Sequence, residues 1–114
     1  MSSPSIFSKI IRRELPATFL YEDDLCVVIK DIHPVAPVHL LVIPKKEIPT
    51  LADVTEADEA LLGHLLLVAS KAAREQGLDE KGYRTLINTR EYGGQVVYHL
   101  HIHVIGGRQL KGMG

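Results

Sequence analysis

The sequence predicts an α+β fold, with an antiparallel sheet of about five strands, a short N-terminal helix and one long helix packed against the sheet. Two observations carry that expectation. Short runs of β-branched and aromatic residues recur between Pro, Gly and Asp punctuation, and one segment alone, from Thr55 to about Gly77, repeats its apolar residues at helical spacing over many turns. A third observation marks where chemistry could sit. The run His99-Leu100-His101-Ile102-His103-Val104-Ile105 alternates histidine with apolar residues, so as a strand it places three imidazoles on one face and Leu100, Ile102 and Val104 on the other.

Ile6, Phe7, Ile10 and Ile11 recur at helical spacing after Ser5, a residue suited to an N-cap, and Pro16 stops the pattern. Thr18–Glu22 and Leu25–Ile32 are strand-forming runs separated by Asp23-Asp24, a hairpin pattern in which Ile29 and Asp31 share a face. Pro34 and Pro37 precede a third strand, Val38–Ile43, where His39 shares its face with Leu41 and Ile43; Pro44 and Pro49 then open a loop. Thr55-Glu56-Ala57-Asp58 is a capping-box variant at the start of the long helix, which Gly77 ends. Its apolar arc is wide. Leu61, Leu65, Val68 and Ala72 form one edge and Leu62, Leu66, Ala69 and Ala73 the other, with Leu67 outside both, so a second subunit is expected to cover part of it. Tyr83–Asn88 and Tyr98–Ile105 are the last strands, joined by the loop Thr89–Val97.

The 114 residues suit one domain, 1–114, with 46% hydrophobic and 24% charged residues. A net charge of -1 without a long basic block argues against a nucleic-acid polymer as the partner. Cys26 is the single cysteine, so no intrachain disulfide forms, and no apolar run is long enough to span a bilayer. The Met1 to Pro4 start lacks the features of a signal peptide, and the expected location is cytoplasmic.

Three adjacent imidazoles repel one another when charged, so the row favours neutral rings near pH 7, suited to nucleophilic attack, proton transfer or metal ligation. Alternate histidines could also give zinc two or three ligands. Taken alone, Gly93-Gly94 could be a plain hairpin loop or a backbone cradle for an anion. Asp31 could be a solvated strand-end carboxylate, His39 a structural histidine, and His33 and His64 surface residues.

Together, Asp31-Ile32-His33-Pro34-Val35-Ala36-Pro37-Val38-His39-Leu40-Leu41-Val42-Ile43-Pro44-Lys45 and Gly93-Gly94-Gln95-Val96-Val97-Tyr98-His99-Leu100-His101-Ile102-His103 resemble the histidine triad (HIT) superfamily of nucleotidyl hydrolases and transferases, most closely its Hint branch. The resemblance runs from Ile6 to Gln109 and implies the HIT-like fold. It implies a purine nucleoside phosphoramidase, hydrolysing adenosine 5′-phosphoramidates to AMP and amine, with His101 as the nucleophile. His99 and His103 would orient it and bind phosphate oxygens, and His39 would support them. Asn88, Gly94, Gln95 and Val97 would contact the α-phosphate, and Asp31, with Ile32 beside it, the ribose. Ile6, Phe7, Ile10, Leu15 and Ile29 would form the purine slot.

Some members hold a structural zinc through an N-terminal Cys-x-x-Cys and histidines, but Ser5-Ile6-Phe7-Ser8 and Glu47 occupy those positions here. Serine is a poor ligand compared with thiolate, so neither metal nor cofactor is expected. Val96 replaces a hydroxyl or acidic residue common in relatives, and Leu110-Lys111-Gly112-Met113-Gly114 replaces the usual Hint ending. Two other readings remain beside the phosphoramidase: a nucleotide-binding or scaffold protein with weak catalysis, and a diadenosine polyphosphate hydrolase. The expected partners are a purine nucleotide and, for a homodimer, a second copy of the chain.

Overall fold

The computed structural model describes residues 4–113; Met1 to Ser3 of the start read above as leaderless, and Gly114, lie outside it. The elements are α1 (Ile6–Ile11), β1 (Phe19–Glu22), β2 (Cys26–Lys30), β3 (Val38–Pro44), α2 (Glu59–Glu75), β4 (Arg84–Leu86) and β5 (Ile102–Gly106), with short 3-10 turns at Leu51–Asp53 and Glu56–Asp58. The sheet is antiparallel throughout, in the order β1-β2-β3-β5-β4, which is the α+β fold the sequence predicts.

Strand alternation divides the apolar residues between two layers. Cys26, Val28, Leu40, Val42, Ile102 and Val104 face α2, where they pack with Leu65, Val68 and Ala69. Val27, Ile29, Leu41 and Ile43 face the other way and pack with Phe7 and Ile10 of α1. The triad lies on the α1 side. His39 and His103 therefore approach α1 from neighbouring strands, with Leu41 directly opposite His103 in the register.

Three strands are shorter than their sequence patterns. β2 stops at Lys30 because the Asp31 side chain turns back to accept from the His33 amide, and β4 holds only Arg84–Leu86 of the expected Tyr83–Asn88. The larger difference is in β5, which begins at Ile102 rather than Tyr98. Val42 pairs with Ile102, so the register brings Pro44 opposite Leu100, and proline has no N–H to extend the ladder. The Leu100 amide instead donates to the Ile48 carbonyl at 2.7 Å. Side-chain alternation continues without the ladder, and Leu100 remains in the α2 layer.

The capping box forms as read, but it caps the 3-10 turn before α2, with the Thr55 amide donating to Asp58. Gly77 follows the helix at φ +73°, a conformation few other residues take. His64 is not a bare surface histidine: its ring bonds Asp23 at 2.6 Å, joining α2 to the β1–β2 turn. The same carboxylate accepts from the Tyr21 hydroxyl and the Leu25 and Cys26 amides. Burial pushes its pKa up, but these donors outweigh it and hold it below the usual carboxylate range. Burial also raises the Cys26 thiol to about 12, as befits a packed, inert cysteine.

Along α2, Leu65, Val68, Ala69 and Ala73 are buried, whereas Leu66 and Leu67 remain 55% and 54% exposed. No helix among the described residues is long and apolar enough to cross a membrane. Leu65 is fully enclosed at the contact of α2 with the sheet. Leu65→Ala should lower the unfolding free energy by about 2–5 kcal/mol in urea denaturation, since the site cannot fully collapse around the lost atoms. A loss below 1 kcal/mol, on that same scale, would mean the contact is loosely packed.

Candidate active site

The peptide group between His99 and Leu100 organises the site. Its N–H donates to Ile48, and its carbonyl accepts from the His101 ring, with Nδ1 at 2.7 Å. A carbonyl can only accept, so His101 carries its proton on Nδ1 and keeps a bare lone pair on Nε2. The edge of the ring packs against Phe7 of α1 at a centroid separation of 4.9 Å. His101 is thus fixed in both tautomer and orientation.

The other rings are fixed by the same proton accounting. The Val35 amide donates to His39 Nδ1 at 3.2 Å, so His39 carries its proton on Nε2. That nitrogen lies 2.9 Å from His103 Nδ1 and 3.4 Å from Asp31 Oδ2. His103 Nδ1 is therefore an acceptor, and its proton sits on Nε2, 3.5 Å from the Asn88 amide group. A hydrogen on Nε2 calls for the Asn88 side-chain oxygen on that side. His103 presents a donor and His101 an acceptor, from rings whose centroids are 4.9 Å apart.

A cavity of about 670 Å³, within the usual range for small-molecule sites, opens over these rings. Ile6, Phe7, Ile10, Leu15 and Ile29 line its apolar side, and Asp31, Ile32, His39, Asn88, Gly94, Val97, His101 and His103 line the rest. Sequence reasoning missed Pro16, Ala17, Lys30, Val35 and Leu41, all of which also line it, and His33, which it had set on the surface. For most of these the signal is weak, because their type suits a loop or core position equally well.

Two expected site residues lie elsewhere. His99 is 2% exposed and does not line the cavity; its Nε2 donates to the Pro44 carbonyl at 2.8 Å and its Nδ1 faces Ser5 and Ser8. It cannot reach a phosphate from there. Gln95 is also buried: its amide group donates to Pro49 and Val97 carbonyls and accepts from the Arg90 N–H. Those bonds shape the glycine loop from beneath. Gly93 packs so closely on Thr89 that a Cβ would lie 2.6 Å from its carbonyl oxygen, and Gly94 takes φ +77°. The Gly94 and Gln95 amides bond the Glu91 and Arg90 carbonyls, so neither is offered to an anion. Val96 itself is 87% exposed at the cavity wall.

Asp31, His39 and His103 bring three possible ligand atoms within 4.8 Å of one another, as do Asp23, Cys26 and His64. The structural zinc that some members hold does not fit these residues, because Ser5 and Ser8 stand where thiolates would and their hydroxyls are hydrogen-bonded to the His99 ring.

Burial pushes all four rings toward neutrality. It lowers His39, His99 and His101 from the usual histidine value, against the opposing pull of Asp31 on His39 and His101 and of the Pro44 carbonyl on His99. His103 falls furthest, to about 4, through burial and then the neighbouring His101 and His39 rings.

The HIT domain family, as a sequence pattern, matches residues 12–110. The chain is 59% identical over 110 residues to an uncharacterized HIT-like protein of Synechococcus elongatus, covering 96% of each. It is 50% identical over 113 residues to the purine nucleoside phosphoramidase of Escherichia coli, covering 99% of this chain and 95% of that one. The crystal structure of a HIT family hydrolase from Legionella pneumophila superposes with a TM-score of 0.93 at 47% identity, covering 95% and 96% of the two chains. This chain belongs to the HIT domain family.

Lowered histidine pKa values have a consequence for stability. Between about 4 and the ordinary histidine value of 6.5, folded His103 binds fewer protons than its unfolded counterpart, so stability is full above 6.5 and declines as pH falls through that window. Urea melts across the window should show that decline, and His103→Gln should flatten part of it. An unchanged midpoint from one end to the other would show that the ring titrates normally.

Proposed function

We propose that the chain is a purine nucleoside phosphoramidase, acting on adenosine 5′-phosphoramidates through a covalent nucleotidyl-His101 intermediate. The observation that carries this reading is the hydrogen bond from His101 Nδ1 to the His99 carbonyl, which leaves Nε2 as a lone pair in a ring lining the cavity. The Nε2 lone pair forms a bond to the α-phosphorus while the phosphorus–nitrogen bond breaks and the amine leaves, taking up a proton from solvent. Water then attacks the same phosphorus and gives a proton back to solvent. The bond to Nε2 breaks, and the nucleoside monophosphate is released with His101 restored.

During attack the imidazole gains positive charge, and the His99 carbonyl stabilises it through the Nδ1 proton. In this reading His103 Nε2–H and backbone amides of the Thr89–Val97 loop donate to phosphate oxygens, supported by His103 and Val97 lining the cavity. Asp31, already accepting from the His33 amide, keeps acceptor capacity for ribose hydroxyls, and α1 with Ile29 forms the apolar slot for the base. Similarity to the Escherichia coli phosphoramidase supports the choice of bond.

Mass spectrometry after brief incubation with an adenosine phosphoramidate should find an acid-labile nucleotidyl adduct on His101, and His101→Asn should abolish turnover while retaining AMP binding. Turnover at the wild-type rate in His101→Asn would remove the covalent route. A diadenosine polyphosphate belongs in the same assay. Val96 offers the departing group no side-chain donor or acceptor, and preferential cleavage of the dinucleotide would favour the polyphosphate hydrolase reading.

The exposed Leu66 and Leu67 and the edge position of β4 support a homodimer built on that side. Sedimentation should give a dimer, and Leu67→Glu should weaken it by placing a charge in an apolar contact. A monodisperse monomer at high concentration would overturn the assembly.

A further inference from the structure

One buried ring, His99, holds no place in the cavity, yet the orientation of the nucleophile depends on the residue that carries it. Its Nε2 donates to Pro44, so its Nδ1 must accept, and among the described residues the groups that meet it are two hydroxyls of α1 and its cap. Ser5 Oγ lies 2.8 Å and Ser8 Oγ 3.3 Å from Nδ1, and the two oxygens are 3.2 Å apart. Ser5 Oγ also accepts from the Ser8 amide at 3.0 Å, as the N-cap of α1. One hydroxyl therefore caps the helix and holds the ring.

We infer that Ser5 and Ser8 are positioning residues for His101, acting through His99: their hydroxyls hold the His99 ring between α1 and Pro44, which fixes the His99 carbonyl that orients the nucleophile. The path is short and fully bonded. It runs from the Ser5 O–H to His99 Nδ1, along that residue to its carbonyl, and from the carbonyl to His101 Nδ1. Ile48 holds the same peptide group from its N–H side. α1 also carries Ile6, Phe7 and Ile10 of the apolar slot, so the contact ties the wall of the base site to the alignment of the attacking ring.

The catalytic consequence rests on the phosphoramidase reading, but the geometry can be tested without turnover. Nitrogen-15 NMR of the imidazoles in the intact protein should give His99 as the Nε2–H tautomer and His101 as Nδ1–H. His99 found as Nδ1–H would reverse the hydrogen bond and overturn the inference. Ser5→Gly/Ser8→Ala then removes both hydroxyls, and glycine caps a helix nearly as well as serine. That variant should show mixed His99 tautomers and a kcat lowered about tenfold, the scale of a buried acceptor left unpaired, with AMP affinity changed less than about twofold. Ser5→Thr/Ser8→Ala restores one hydroxyl and should recover most of the rate.

An unchanged kcat and tautomer in the double variant, or no recovery with threonine, would overturn the inference. If the double variant does not fold, Ser5→Gly and Ser8→Ala made singly carry the same comparison, and the wild-type tautomer decides by itself. Should the wild type cleave no phosphoramidate, the functional reading fails while the NMR comparison still decides the role of the serines.

Discussion

The structure depends on one peptide plane. The group joining His99 to Leu100 is held from its N–H side by Ile48 and offers its carbonyl to His101, so chain direction at the mouth of β5 and the tautomer of His101 are set together. Neither bond is part of the sheet. The plane is supported by the loop between β3 and α2, which supplies the Ile48 carbonyl to the backbone, the Pro44 carbonyl to His99 and the Pro49 carbonyl to Gln95. Polar groups buried this deeply cost stability unless paired, and here the pairing that removes the cost also aims the chemistry.

The four imidazoles illustrate a second constraint. His39 Nε2 and His103 Nδ1 lie 2.9 Å apart and share one hydrogen only if the two rings are not both charged and their protons follow one direction. The Val35 amide sets that direction. Burial favours the neutral rings, and His103 inherits its tautomer from His39. Asp31 opposes burial on His39 and His101, yet it stands at the cavity wall, where its carboxylate keeps capacity for a ligand.

Much of this was legible from the chain, for physical reasons. Alternation assigns side-chain faces whether or not a ladder forms, so Leu100, Ile102 and Val104 fall together opposite the histidines, on the face that packs against the long helix. The capping box, the Ser5 cap and the Gly77 stop are local chemistry and could be read locally. Other features depended on what meets what across the fold. That His99 lies beneath the site, that Gln95 spends its amide inside its loop and that His64 reaches Asp23 follow from contacts distant in sequence. Val35 acts through a backbone N–H, which its side chain gives no means of predicting.

Pro44 explains why the triad sits at the end of the sheet instead of within it. In a continued ladder the residue opposite Leu100 would donate its amide to β5, and the backbone there would be committed to strand pairing. Proline removes that donor, and the edge opens by one residue pair. The Pro44 carbonyl then becomes available to His99, the Leu100 amide turns to Ile48, and the His99 carbonyl is left to the side chain two residues on. The loss of one ladder hydrogen bond therefore converts the start of a strand into a holder for an imidazole. His103, inside the ladder on the same face, takes its tautomer from a neighbouring strand instead, so the acceptor His101 and the donor His103 differ by which side of that break they occupy.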